Sequence, residues 1–273
     1  TVVPEEWYRA IEDWWQVRHH FHMEKEWMIF CTGVVPAISS IVRKMTTVGE
    51  KIVLLTPVYN IFFNSIVNNG RYVLECPLRY ENGEYSIDFC ELEAKLADPQ
   101  ASMMIFCNPH NPVGKIWDRH TMEKIGHLRH KVWRGLNTDE AAEPNVFAMP
   151  AAIAAWRNGA PWLEELRKYL YENKREAAEF LGTQIPEVSL VSSEATYLLW
   201  IDCRRITEKD VELKDFLRRE TGLYLCEGSE YGKAGEGFLR MNAACPRERL
   251  KDGLMRMKRG IEAFVCLPER RIQ

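Results

Sequence analysis

One apolar run that ends in two Asn-Pro steps constrains this chain more than any other feature. Met103-Met104-Ile105-Phe106-Cys107 reads as a short buried strand, and Asn108-Pro109-His110-Asn111-Pro112-Val113-Gly114 follows it directly. Each proline fixes its own φ and biases the residue before it toward extended backbone, so the chain must leave the strand in a tight turn. Asn111 is thereby held on a stiff loop at the carboxyl end of a strand, where open α/β sheets bind ligands. An amide held there can donate to an oxygen on a flat ligand ring.

The segments before this turn alternate in period. Pro4 to His20 carries Trp7, Ile11, Trp14, Trp15 and Val17 at near-helical spacing, with Pro4 suited to a first turn. A short apolar segment, Trp27 to Phe30, precedes Thr32-Gly33, which opens a helix over Val34–Met45. Ile52–Leu55 reads as a strand, Tyr59–Asn68 as a helix and Tyr72–Cys76 as a strand. Asn82-Gly83 turns between two short strands, and Ile87–Leu96 reads as a helix capped near Asp88. Such alternation predicts an α/β domain with a largely parallel sheet.

After Gly114 the alternation stops. Asp118–His127, Leu128–Arg134, Pro144–Asn158 and Pro161–Leu181 all read as helix, and no buried strand is expected before about Ser189. Strands over Thr196–Ile201 and Phe238–Asn242, with helices over Leu213–Thr221 and Arg247–Val265, return the chain to α+β. The spacing predicts a large domain over residues 1–161 and a smaller C-terminal domain over 162–273.

A chain of 273 residues with 46% apolar and 27% charged content suits a soluble globular protein with a sizeable core. Its net charge of -3 gives no nucleic-acid or membrane-surface footprint. No apolar run has the length to span a bilayer, and no signal-peptide pattern opens the chain. The 8 cysteines lie apart, several in apolar runs, which is the usage of reduced thiols in a cytoplasmic protein.

Three further segments can carry chemistry, each with a plainer alternative. Gly33-Val34-Val35 sits where a helix opens, so free backbone N–H groups there suit a phosphate dianion; an ordinary glycine turn has the same sequence. Tyr59 in Thr56-Pro57-Val58-Tyr59 follows a strand, where its ring can lie against a planar heterocycle or pack in a core beside Phe62 and Phe63. Arg240 interrupts the apolar strand Phe238–Asn242 and needs an anion, either a ligand carboxylate or one of the many glutamates. His19-His20-Phe21-His22 lacks a spaced metal partner and reads as a surface cluster. Gly232–Gly237 misses both phosphate-loop spacings and reads as a flexible loop.

In order and spacing these segments resemble the MalY/PatB group of fold-type I pyridoxal-phosphate enzymes, the cystathionine β-lyases and cystalysin-like C–S lyases. The likeness also takes in Glu26-Trp27, Asn69-Gly70-Arg71, Tyr80-Glu81-Asn82-Gly83, Ile87-Asp88-Phe89, Glu143-Pro144-Asn145 and Leu239-Arg240-Met241-Asn242. It implies that Gly33, Val34 and Val35 hold the phosphate of pyridoxal 5'-phosphate, that Tyr59 stacks on its ring and that Asn111 bonds its 3-oxygen. It implies Arg240 for the α-carboxylate of an amino-acid substrate. It also implies a homodimer and α,β-elimination to pyruvate, ammonia and a thiol, with transamination as the alternative activity.

The resemblance also implies two residues that this sequence does not supply in context. The group has a Schiff-base lysine in a Ser-x-x-Lys turn and an aspartate for the pyridine nitrogen, both due between Gly114 and Glu143. Lys115, Lys124, Lys131, Asp118 and Asp139 fall in that interval, and none matches. No catalytic residue is therefore assigned. The pattern passes from one helix of the group to a later one near residues 127/128, so roughly sixty residues, several βα units, are wanting there. The N-terminal arm that in the group reaches the partner's phosphate site is wanting too. A catalytically silent remnant is the competing reading.

Overall fold

The computed structural model describes residues 3–126 and 147–267 of the 273. The expected helix Leu128–Arg134, the junction near 127/128, Lys131, Asp139 and the Glu143-Pro144-Asn145 motif lie outside the described residues.

The first lobe is built on three parallel strands, β1 (Lys51–Thr56), β2 (Tyr72–Pro77) and β5 (Ala101–Ile105), in the order β2-β1-β5. Ile52, Val53, Leu54 and Leu55 are buried on both faces, as a central parallel strand requires. Helices α2 (Val34–Met45) and α3 (Ile61–Val67) cover one face, where Val42, Ile52, Leu54, Val58, Phe62 and Ile66 share a core. Between β2 and β5 lie the hairpin β3 (Arg79–Glu81)–β4 (Glu84–Ser86) and helix α4 (Phe89–Leu96). Asn82 and Gly83 both take positive φ in the hairpin turn, and Asp88 caps α4 by accepting from the amides of Cys90 and Glu91.

Helix α1 (Glu5–His19) packs on α6 (Ala148–Asn158), with Trp14 edge-on to Trp156 at 5.2 Å. Helix α5 (Arg119–Gly126) begins where Asp118 accepts from the Thr121 amide at 2.7 Å. Helix α7 (Ala160–Gln184) runs unbroken across the expected 161/162 boundary.

The second lobe is a sheet in the order β6 (Ser189–Leu190), β7 (Leu198–Asp202), β9 (Phe238–Asn242), β8 (Cys226–Glu227), antiparallel throughout. Helices α8 (Asp210–Thr221) and α9 (Arg247–Val265), with the second half of α7, close its core around Leu199, Ile201, Leu217, Leu239, Ile261 and Phe264. The lobes also share a core: Val53, Leu55, Cys76 and Tyr85 of the first meet Trp200, Tyr231 and Phe238 of the second. Among the described residues no helix is long and apolar enough to cross a membrane.

Candidate active site

Helix α2 is oriented by its far end. Arg71, buried just before β2, donates from Nε to Thr46 Oγ1 at 2.8 Å and also holds the carbonyls of Asn69 and Thr46. Those bonds tie the C-terminus of α2 to the amino edge of the sheet. The 12 residues of α2 span about 18 Å and the six of β1 about 20 Å. The N-terminus of α2, with Gly33, Val34 and Val35, therefore lies at the carboxyl edge, and Ile38 and Tyr59 both pack on the same core there.

Tyr59 and Asn111 follow adjacent strands, β1 and β5, and so share that edge. Tyr59 is half-buried and edge-on to Phe62 at 5.7 Å, so its ring partly fulfils the packing alternative while keeping an open side. The Asn111 turn is closed by the His110 amide donating to Lys115 O and the Gly114 amide donating to His110 O, both at 2.7 Å. Gly114 has φ 73, and a Cβ there would lie 2.0 Å from Ser193 Oγ, so only glycine lets the turn seat against the second lobe. The peptide bonds Thr56-Pro57, Asn108-Pro109 and Asn111-Pro112 are cis.

Arg240 reaches the same edge from the second lobe. Its guanidinium lies 4.8 Å from the Tyr231 ring centroid, and Nη2 is 3.3 Å from Cys226 Sγ. Tyr231 O in turn accepts from the Val58 amide at 2.9 Å, next to Tyr59. Among the described residues Arg240 makes no ion pair with a carboxylate; its neighbours there are the Tyr231 ring and the Cys226 thiol. The Gly232–Gly237 segment, expected as a flexible loop, contains a 3-10 turn over Lys233–Gly235 and continues another over Gly228–Tyr231. A Cβ on Gly232 would meet Thr56 and Glu75 at about 3 Å, so this segment is pressed onto β1 and β2 rather than free.

The edge is polar and unsatisfied. Thr56 Oγ1, His110 Nδ1 and Asn111 Oδ1 are buried side-chain atoms without a hydrogen-bond partner; Thr56 ends β1, and the other two lie on the loop that leaves β5. Buried polar groups are nearly always paired, so three orphans at one edge mark a place for a polar guest. Gly33 is equally telling. Its φ of 172 is open to any residue, and an added Cβ would meet only Pro36, so nothing in the packing of the described residues calls for glycine there. A phosphate approaching the backbone does call for it. The residues present thus fit pyridoxal 5'-phosphate.

Of the five lysines and aspartates in the interval, the structure describes the side chains of only Lys115 and Asp118, and neither fills a wanting role. Lys115 Nζ lies 4.0 Å from Glu194 Oε2, and Asp118 is occupied as the cap of α5. The sequence names His110 and Arg71 within motifs but gives neither a role, because Pro57 and Thr46, the partners that define those roles, are distant in the chain. The histidine cluster at 19–22 joins no metal-binding group among the described residues.

These features are those of an aminotransferase fold. The model of the family "Aminotransferase class I and II" matches residues 3–141 and 146–257, and the chain belongs to that family. Within it the chain is 33% identical to cystathionine beta-lyase PatB of Bacillus subtilis, over 91% of this chain and 81% of PatB. It is 27% identical to protein MalY of Escherichia coli, over 95% of this chain and 83% of MalY. Cystalysin from Treponema denticola, whose crystal structure contains pyridoxal 5'-phosphate, superposes with a TM-score of 0.88 at 26% identity, over 96% of this chain and 83% of cystalysin. The PatB alignment runs over 314 positions, more than the 273 residues of the chain, so PatB carries residues inside the aligned span that this chain lacks.

Proposed function

We propose that this chain is a pyridoxal-phosphate-dependent C–S lyase of the cystathionine β-lyase type, cytoplasmic and homodimeric, with lobes divided near residues 161/162. The observation that carries this reading is the convergence on one sheet edge of the α2 N-terminus, Tyr59, Asn111 and an Arg240 that has no carboxylate partner among the described residues. The backbone N–H groups of Gly33, Val34 and Val35 hold the phosphate, aided by the positive end of the helix dipole. Tyr59 stacks on the ring. The Asn111 amide, rotated by half a turn about χ2, presents its nitrogen in place of the orphan oxygen and donates to the ring oxygen. Arg240, half-buried beside Tyr231, takes the substrate α-carboxylate through its planar fork. When bound, the cofactor would supply the electron sink that proton loss at Cα and departure of a β-thiolate require.

The test is incubation of the chain with cofactor and cystathionine. Pyruvate together with a new thiol supports the lyase, and Arg240→Gln should raise KM by about a hundredfold, as expected for losing a charge-assisted pair. A 2-oxo acid formed only with an amino acceptor makes the chain a transaminase, the reading favoured by the family model's own description. No borohydride-reducible adduct at any lysine makes it a catalytically silent remnant.

A further inference from the structure

We propose that His110 is a positioning residue whose ring clamps the Tyr59 turn to the Asn111 turn, so that one side chain sets both cofactor-facing groups in register. This inference rests on the cofactor reading of that edge. His110 is fully buried, and its Nε2 lies 2.9 Å from Pro57 O. A carbonyl can only accept, so Nε2 carries the proton and the bond runs from the β5 loop to the β1 loop. Pro57 is two residues before Tyr59, and His110 is adjacent to Asn111.

The ring is fixed on its other sides. Trp117 meets it edge-on at 5.6 Å, and the His110 backbone closes the turn through both its N–H and its C=O. Burial pushes the imidazole pKa down to about 4, against the raising influence of the Pro57, Cys107 and Leu55 carbonyls, so the ring is neutral at neutral pH. The Tyr59 loop is held to β2 by the Leu78 amide on Thr56 O and to the second lobe by the Val58 amide on Tyr231 O, but toward the Asn111 loop β1 and β5 pair only as far as Leu54 and Ile105. Beyond that point the histidine takes over the spacing of the two loops.

The experiment compares the full chain with His110→Ala, His110→Gln and His110→Asn. Gln places an N–H near the Nε2 position, whereas Asn is too short. Pyridoxal 5'-phosphate is titrated while the circular dichroism of the bound cofactor, a signature of ring orientation, is recorded. His110→Ala and His110→Asn should weaken binding by about tenfold, the value of one lost hydrogen bond, and change the cofactor signal; His110→Gln should restore both. Amide exchange across residues 57–63, measured without cofactor, should rise in the Asn variant and not in the Gln variant. Should His110→Ala fail to fold, the Gln–Asn pair decides. Equal behaviour of Gln and Asn overturns the clamp. If Tyr59→Ala and Asn111→Ala bind the cofactor as well as the unaltered chain, the cofactor reading falls, and the positioning role falls with it, while exchange still reports whether the loops are tied.

Discussion

The antiparallel lobe and the carboxyl edge of the parallel sheet are built to opposite standards. In the lobe, β7 is buried along nearly its whole length and β9 at Phe238, Leu239 and Met241, and Trp200 stacks on Phe238 at 5.2 Å while donating to Tyr85 Oη at 3.1 Å. Asn173, fully buried, satisfies the carbonyls of Ala243 and Cys245. At the edge of the parallel sheet, a few residues away, Thr56, His110 and Asn111 each keep a buried polar atom without a partner. The difference teaches where the chain spends its packing. One region is closed on itself and supplies stability, and the other is left chemically open and supplies recognition.

The sharpest way to break this contrast is a deletion in the closed lobe. Phe264→Ala removes a fully buried ring that meets Phe216 edge-on at 5.1 Å, and should cost about 3–5 kcal/mol in urea unfolding. A loss below about 1 kcal/mol would mean that the lobe is no better packed than the edge.

Acid should strike the open edge first. His110 titrates at about 4 in the folded chain against 6.5 ordinarily. The unfolded chain therefore takes up a proton that the fold refuses, and stability falls as pH drops from about 6.5 toward 4. Full expression of that gap is worth about 3 kcal/mol. Urea midpoints at pH 7 and pH 4.5 should separate less in His110→Gln than in the unaltered chain. Equal separations would remove the buried neutral histidine from the account.

The smallest expected effect is the most selective. Gly33→Ala should change stability by no more than about 0.5 kcal/mol, because a poorer N-cap offsets a less flexible unfolded chain. Cofactor affinity should nevertheless fall by about tenfold, since the added methyl stands where the phosphate approaches the backbone. Unchanged affinity would return Gly33 to the ordinary glycine turn.

Much of this was legible in the sequence. Helices α2 and α9 and strand β9 have the ends that periodicity predicts, because each carries a strong apolar pattern bounded by its own start and stop residues. Strands β6 and β8 were not anticipated. Each has two residues, too few to show a period, and forms only because β7 or β9 offers it an edge.

The site divides in the same way. The Asn-Pro turn, the glycine opening α2 and the strand arginine are local patterns, so the sequence alone determined which residue types reach a sheet edge and which family the chain resembles. That Arg240 meets a thiol and an aromatic ring instead of a glutamate was decided by the tertiary structure, as was the clamp from His110 to Pro57. Those contacts join residues 9 to 53 positions apart, and their energies depend on burial and on which partner arrives. A one-dimensional pattern encodes neither until each lobe has folded and brought those partners together.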